Sequence, residues 1–290
     1  MKKMKLFKIV DTTKIDIINN YWFRIKQRPT SSPTCIISGA ADWKIKIENL
    51  ETGMCIETFD EHTSTVYCIL LIETRQELAS GSRDFNIKIW NLTNNKCKKT
   101  LRGHTQGVYC LTFICDESSN LLVSGSADQT IKFWNIDRGE CVKTFFNVHQ
   151  RLISCLLFIP EIKCLVSGSY DRSIKVWSLF DVSKENEAHH IECVKHIRGH
   201  LGYVSFVLFN SCTYELISCS GDKTIRFWSL LDDRKDIEGA RVLKSHMDDV
   251  VSLILIGPSN KTLVSGSFDK TIKIWDLPKS KLNLFYMTSK

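Results

Sequence analysis

Serine, histidine and aspartate recur together along this 290-residue chain. They are the three residue types of a charge-relay hydrolase, in which histidine takes the serine proton and aspartate orients the imidazole. The sets are His62, Ser80 and Asp84; His104, Ser124 and Asp128; His149, Ser167 and Asp171; His200, Ser218 and Asp222; and His246, Ser265 and Asp269. A catalytic set is needed once, in a cleft. Five copies in register read as scaffold, although a fold never excludes a site grafted elsewhere on it. The chain has no Gly-x-Gly-x-x-Gly or Walker-type phosphate loop. Its 12 cysteines include no Cys-x-x-Cys pair, so no zinc site is expected. His189 and His190 share one polar stretch without identifiable partners and read as solvated surface. The reading is therefore non-catalytic, with no cofactor and no metal.

The elements that carry these residues are repeats. Five segments align without gaps: SGSRDFNIKIWN from Ser80, SGSADQTIKFWN from Ser124, SGSYDRSIKVWS from Ser167, SCSGDKTIRFWS from Ser218 and SGSFDKTIKIWD from Ser265. A degenerate sixth, SGAADWKIKIEN, starts at Ser38. The turn aspartates at 42, 84, 128, 171, 222 and 269 are spaced by 42, 44, 43, 51 and 47 residues. A period of that length marks a repeat architecture. Runs such as Val66–Ile72, Leu78–Ser82 and Asn86–Asn91 read as strands, with Met54–Phe59 as a strand leading in. Gly, Asp and Asn between them supply turns. One such sheet cannot bury both faces, whereas sheets stacked radially can.

Composition agrees with a soluble globular chain, at 43% hydrophobic and 24% charged. No apolar run is long enough for a membrane span, and Met1–Val10 lacks the core of a secretory signal. Cys55, Cys97, Cys141 and Cys193 recur at one repeat position and Cys68, Cys110 and Cys155 at another. Thiols that repeat with the fold are expected to be packed and reduced, in the cytoplasm and/or nucleus. The net charge of +7 owes much to Lys46, Lys88, Lys132, Lys175, Arg226 and Lys273. Each stands two residues before the Trp position, on the same strand face, with its stem expected to pack. Nucleic acid is therefore not the expected partner.

The repeat resembles the WD40 family, with Gly103-His104 and Gly199-His200 near repeat starts and Trp275-Asp276 at the last repeat's end. The resemblance covers about residues 20–277. It implies an all-β propeller, a single domain over 1–290, with units at about 20–49, 54–91, 97–135, 141–178, 193–229 and 241–277. Six blades or an incomplete seven-bladed ring both fit, and Leu6–Val10 and Leu282–Met287 are candidate closing strands. The resemblance further implies a hydrogen-bond chain from each turn Asp through His and Ser to Trp90, Trp134, Trp177, Trp228 or Trp275. Unit one departs, with Glu48 at the Trp position and Asn20 near the His position, and is expected to be the least stable. Charged surface loops are expected at Asp181–His190 and Asp232–Gly239.

In this family partners commonly dock on the top end. One contacting set precedes the turn Asp: Ala41, Arg83, Ala127, Tyr170, Gly221 and Phe268. A second lies at the first strands: Tyr67, Tyr109, Ser154, Ser205 and Val251, with Thr65, Gly107, Leu152, Tyr203 and Asp249 two residues earlier. The expected partner-binding residues are Tyr67, Arg83, Tyr109, Tyr170, Tyr203, Asp249 and Phe268, because Tyr and Arg make strong interface anchors. The implied function is a scaffold or adaptor that binds proteins or peptides, compatible with a larger multiprotein complex. The alternatives are a substrate-recognition subunit of a ubiquitin ligase and an RNA-binding propeller.

Overall fold

The computed structural model describes residues 24–26, 35–115, 120–179, 192–231, 236–238, 241–257, 260–278 and 281–283. They form six sheets arranged as a six-blade propeller. Blade one is β1 (Arg24–Lys26), β2 (Cys35–Gly39), β3 (Ile45–Asn49) and β4 (Cys55–Phe59). Blade two is β5 (Val66–Ile72), β6 (Glu77–Ser82), β7 (Ile87–Asn91) and β8 (Lys96–Leu101). Blade three is β9 (Val108–Cys115), β10 (Asn120–Ser126), β11 (Ile131–Asn135) and β12 (Glu140–Phe145). Blade four is β13 (Ile153–Ile159), β14 (Cys164–Ser169), β15 (Ile174–Ser178) and β16 (Glu192–Arg198). Blade five begins with β17 (Val204–Asn210), β18 (Glu215–Ser220) and β19 (Thr224–Ser229). The chain then makes β20 (Asp236–Glu238) before the blade's outer strand, β21 (Arg241–Lys244). Blade six is β22 (Val250–Ile256), β23 (Thr262–Ser267), β24 (Ile272–Asp276) and β25 (Lys281–Asn283).

Three expectations are corrected or settled here. Six blades form among the described residues. Lys281–Asn283 pairs with its own blade at Trp275↔Leu282 rather than with the other end of the chain, and Leu6–Val10 lies outside the described residues. Cys55–Phe59 leads into no sheet of unit two. It closes blade one, at Ile45↔Phe59, because the outer run of each repeat hydrogen-bonds to the preceding third strand. The Asp232–Gly239 stretch is more than a surface loop. Its Asp236–Glu238 pairs in parallel with β16 and makes blade four five-stranded. Asp181–His190 and Asn20 lie outside the described residues.

Second strands such as β6 and β14 are buried at every residue. Neighbouring blades cover both their faces, so their sequences read as continuous apolar and small residues rather than as an alternation. The middle glycine of Ser-Gly-Ser sets the spacing between blades. A Cβ on Gly125 would lie 2.7 Å from both Cys110 Sγ and Ile153 Cγ2, the latter on the next blade's first strand. Gly125→Ala should therefore destabilise the propeller by about 1–3 kcal/mol through overpacking. A urea midpoint equal to that of wild type would refute this.

The cysteine expectation holds for one set and not for the other. Cys68, Cys110 and Cys155 are buried, and burial pushes the Cys155 thiol up to about 12. Cys55 and Cys141 are exposed. The second set stands on the outer strands opposite the Trp position, as in Trp134↔Cys141, where the register shifts at a bulge. There each thiol donates to the carbonyl two residues on, at 3.4 Å for Cys141 to Lys143. This set recurs because of the bulge and not because of a core. All twelve cysteines are free thiols.

Candidate functional site

The recurrent Ser, His, Asp and Trp form one hydrogen-bond chain in each of blades two to six. In blade three Trp134 Nε1 donates to Ser124 Oγ at 2.8 Å, Ser124 Oγ meets His104 Nε2 at 2.7 Å, and His104 Nδ1 meets Asp128 Oδ2 at 2.7 Å. The tautomer follows from the ends of the chain. The indole can only donate, so Ser124 accepts from it and gives its own proton to Nε2. Nδ1–H is then left to donate to the carboxylate. The same contacts recur through Ser80 at 2.8 Å to both His62 and Trp90, through Ser167 at 2.8 Å to both His149 and Trp177, and through Ser218 at 2.8 Å to both His200 and Trp228. Ser265 lies 2.7 Å from His246 and 2.9 Å from Trp275.

Chemically this is the reverse of a nucleophile. Each serine oxygen is buried beneath the indole that donates to it, out of reach of a substrate. Burial tends to raise the Asp84 carboxyl, but donation from His62, Thr63 N–H and Asn86 N–H outweighs it and leaves the group at about 2. Burial lowers His149, His200 and His246, with hydrogen bonds to Asp171, Asp222 and Asp269 opposing only in part. The result is neutral imidazole against ionised carboxylate. Blade one lacks the chain: Glu48 faces Ile36 where a Trp faces Leu elsewhere.

The two top-end residue sets are joined within blades. Arg83 N–H donates to Thr65 O at 2.8 Å, Ala127 to Gly107 O at 2.9 Å, Tyr170 to Leu152 O at 3.0 Å, Gly221 to Tyr203 O at 2.9 Å and Phe268 to Asp249 O at 2.9 Å. Their tyrosines meet across blade boundaries. Tyr67 stacks on Tyr109 with centroids 4.1 Å apart, and Tyr170 stacks on Tyr203 at 4.4 Å. Tyr203 Oη donates to Asp249 Oδ2 of the sixth blade at 2.7 Å. Gly107 lies against both Tyr67 and Tyr109 and against the Arg83 backbone, and Gly221 lies under the Tyr203 ring, where a Cβ would sit 2.5 Å from Cε1. Burial raises Tyr109, Tyr170 and Tyr203, and the Tyr67 hydroxyl adds to Tyr109 as Asp249 does to Tyr203. Phe268 is half-buried at the edge of this belt, and Arg83 is exposed.

Two corrections follow. Tyr67 is only 8% exposed, so it is the platform under Tyr109 and not a free anchor. Ser154 and Ser205 are buried as well. Their hydroxyls donate to Val204 O and Val250 O of the next blade, which makes them links between blades.

The sequence reading missed four side chains on the same end. The residue after each turn Asp is left-handed, with φ between 62° and 73° from Trp43 to Lys270. Trp43 and Phe85 hold that conformation at 51% and 46% exposure, where other blades place Gln129, Arg172, Lys223 and Lys270. Bulky residues are rare in this region of backbone space. Leu201 and Met247 follow the network histidines and are 77% and 78% exposed. Their N–H groups donate to Asp222 and Asp269, both at 2.9 Å, which places them beside the same turns. The signal was present in the aligned segments, as aromatics at a position otherwise polar.

The repeating basic residues pack as expected. Lys88 and Lys175 lie 5.9 and 5.6 Å from the Trp90 and Trp177 ring centroids. Lys273 is buried, donating to the Ser245 carbonyl and, at 2.9 Å, to its hydroxyl.

The family model for the WD domain, G-beta repeat, matches residues 53–91, 95–135, 139–178, 191–229 and 239–276. These matches cover more than half of the chain. It belongs to the WD40 family. The five matches are the units that carry the complete Trp-to-Asp chain, and the degenerate first blade of this WD40 protein is left out except for β4. No curated protein matches the sequence. No helix among the described residues is long and apolar enough to cross a membrane.

Proposed function

We propose that this WD40 propeller is a non-catalytic scaffold that docks a protein or peptide on its top end. The observation that carries the reading is the tyrosine belt, two stacked pairs contributed by blades two to five, with Tyr203 held by Asp249 of blade six. On the same end Trp43, Phe85, Leu201 and Met247 remain exposed. Exposed large apolar groups clustered with rigid aromatics are characteristic of interaction surfaces. The held tyrosines are ordered before any partner arrives, so little side-chain entropy remains to be lost on binding. The free thiols fit a reducing compartment, cytoplasmic or nuclear.

The test compares proteins retained by wild type with those retained by the Arg83→Ala, Tyr109→Ala, Tyr170→Ala triple variant, with thermal melts to check that both are folded. Loss of an anchor weakens binding by about 2 kcal/mol or more, so bound partners should disappear from the variant. Loss of ligase subunits among them would identify a ubiquitin-ligase receptor. Identical partner sets from two folded proteins would move the working surface away from the top end.

A further inference from the structure

The residue opposite the third-strand basic side chain is threonine in blades one to three, valine in blade five and histidine in blade four. In blades one to three the third-strand lysines Lys46, Lys88 and Lys132 are paired across the outer strand with Thr58, Thr100 and Thr144. In blades two and three that hydroxyl accepts the ammonium at 3.2 and 2.8 Å. In blade four the residue opposite Lys175 is His196, and Lys175 donates to Val148 O at 2.7 Å instead. Arg198, two residues on, donates from Nε to His196 Nε2 at 3.3 Å. The adjoining turn carries Arg172. These four basic residues line a cleft of about 280 Å³ on the top end. Asp171 also borders it, but its carboxylate is held by His149 at 2.8 Å and by Gln150 N–H at 3.0 Å.

A second observation concerns the edge of that cleft. The strand β20 adds to β16 in a register that pairs His196 with Asp236 and Arg198 with Glu238. The chain thus brings an acidic segment of its own to the basic edge, and no other blade has a fifth strand among the described residues.

We propose that this cleft binds the phosphoryl group of a phosphorylated peptide, and that the two acidic residues that β20 sets in register beside β16 weaken that binding by their charge. Two guanidinium forks and an ammonium supply more donors than one carboxylate can use, and they suit a dianion with three acceptor oxygens. Arg172 is two residues beyond Tyr170, roughly 7 Å of chain at most. A peptide lying on the tyrosine belt therefore reaches the cleft. The source of the phosphate rests on the docking function proposed above, and the site itself does not.

The experiment titrates isotope-labelled full chain with inorganic phosphate, with a phosphoserine peptide and with its unphosphorylated twin, following the Gly199 amide and the Arg198 Nε–H. Phosphate and the phosphopeptide should give saturable shifts, the peptide more tightly, and the twin none. Arg172→Gln with Arg198→Gln should weaken phosphate binding at least tenfold, since charge-assisted hydrogen bonds are lost. Glutamine already occupies the Arg172 position in blade three as Gln129, so the turn tolerates it. Asp236→Asn with Glu238→Gln should tighten binding severalfold. Absence of a saturable shift, or equal affinity in wild type and both variants, overturns the site. A phosphopeptide no tighter than inorganic phosphate overturns its source. Tyr109→Ala should leave inorganic phosphate binding unchanged, so failure of the belt and failure of the cleft are read separately.

Discussion

Asp128→Ala is expected to lower the unfolding free energy by about 3 kcal/mol, whereas Asp42→Ala should change it by less than about 0.5 kcal/mol. The two residues hold the same turn position in blades three and one. Asp128 accepts from His104, from Thr105 N–H at 3.0 Å, from Thr130 N–H at 3.0 Å and from Thr130 Oγ1 at 2.6 Å. Its loss leaves the buried His104 Nδ1–H without its carboxylate, with Thr130 Oγ1 at 3.3 Å as a poor substitute. The disturbance then passes along Ser124 to the indole, because a chain of donors is satisfied only when complete. Among the described residues Asp42 accepts only from Lys44 N–H at 3.1 Å and pairs with Lys46 at 3.3 Å in an exposed setting. Urea unfolding of both variants measures the contrast. Equal losses would mean that the turn, rather than the network, carries the energy.

Acid should unfold the propeller progressively, beginning near neutrality. His149, His200 and His246 are held below their ordinary value by burial. A histidine with a depressed folded value contributes stability that is complete above its unfolded value, about 6.5, and lost as the pH falls below it. While the imidazole stays neutral, each pH unit costs about 1.4 kcal/mol per histidine. The carboxylates act in the same direction at lower pH. Asp84, at about 2, and Asp128, Asp171, Asp222 and Asp269, also held low, contribute stability above the ordinary carboxylate range. That contribution is lost as the pH falls through their folded values. Urea midpoints taken from about pH 7 to about pH 5 would refute the histidine part if they stayed constant.

The architecture was legible because several residue types recur at fixed offsets, and each has a side chain whose partner is set by chemistry. A serine between an indole and an imidazole leaves few ways to arrange protons. The belt was half legible. Positions near the first strands and the turns put Tyr67, Tyr109, Tyr170 and Tyr203 at one end, but their stacking in pairs and the burial of Tyr67 depend on which ring lies above which, and spacing does not encode that. Trp43 and Phe85 were not legible from the family's contacting set, because they stand after the turn aspartate whereas that set stands before it. The β20 pairing was illegible: three residues in a charged stretch have too little periodicity to predict a strand. Cys55 and Cys141 recur as regularly as the buried thiols, but a bulge rather than a core fixes their position.

The sheet order carries one more consequence. Apart from β20, which joins blade four from the stretch between β19 and β21, every blade is built from a stretch of chain continuous in sequence, and among the described residues no strand is shared between blade six and blade one. The first strands of blades two to six lie side by side in succession. Among the described residues the junction between blades six and one therefore has no main-chain clasp, like the gap of a split washer. It also adjoins the blade without a Trp-to-Asp chain. Amide protons of blade one should exchange with solvent at a lower free energy than those of blades three and four, so that opening proceeds from the gap inward.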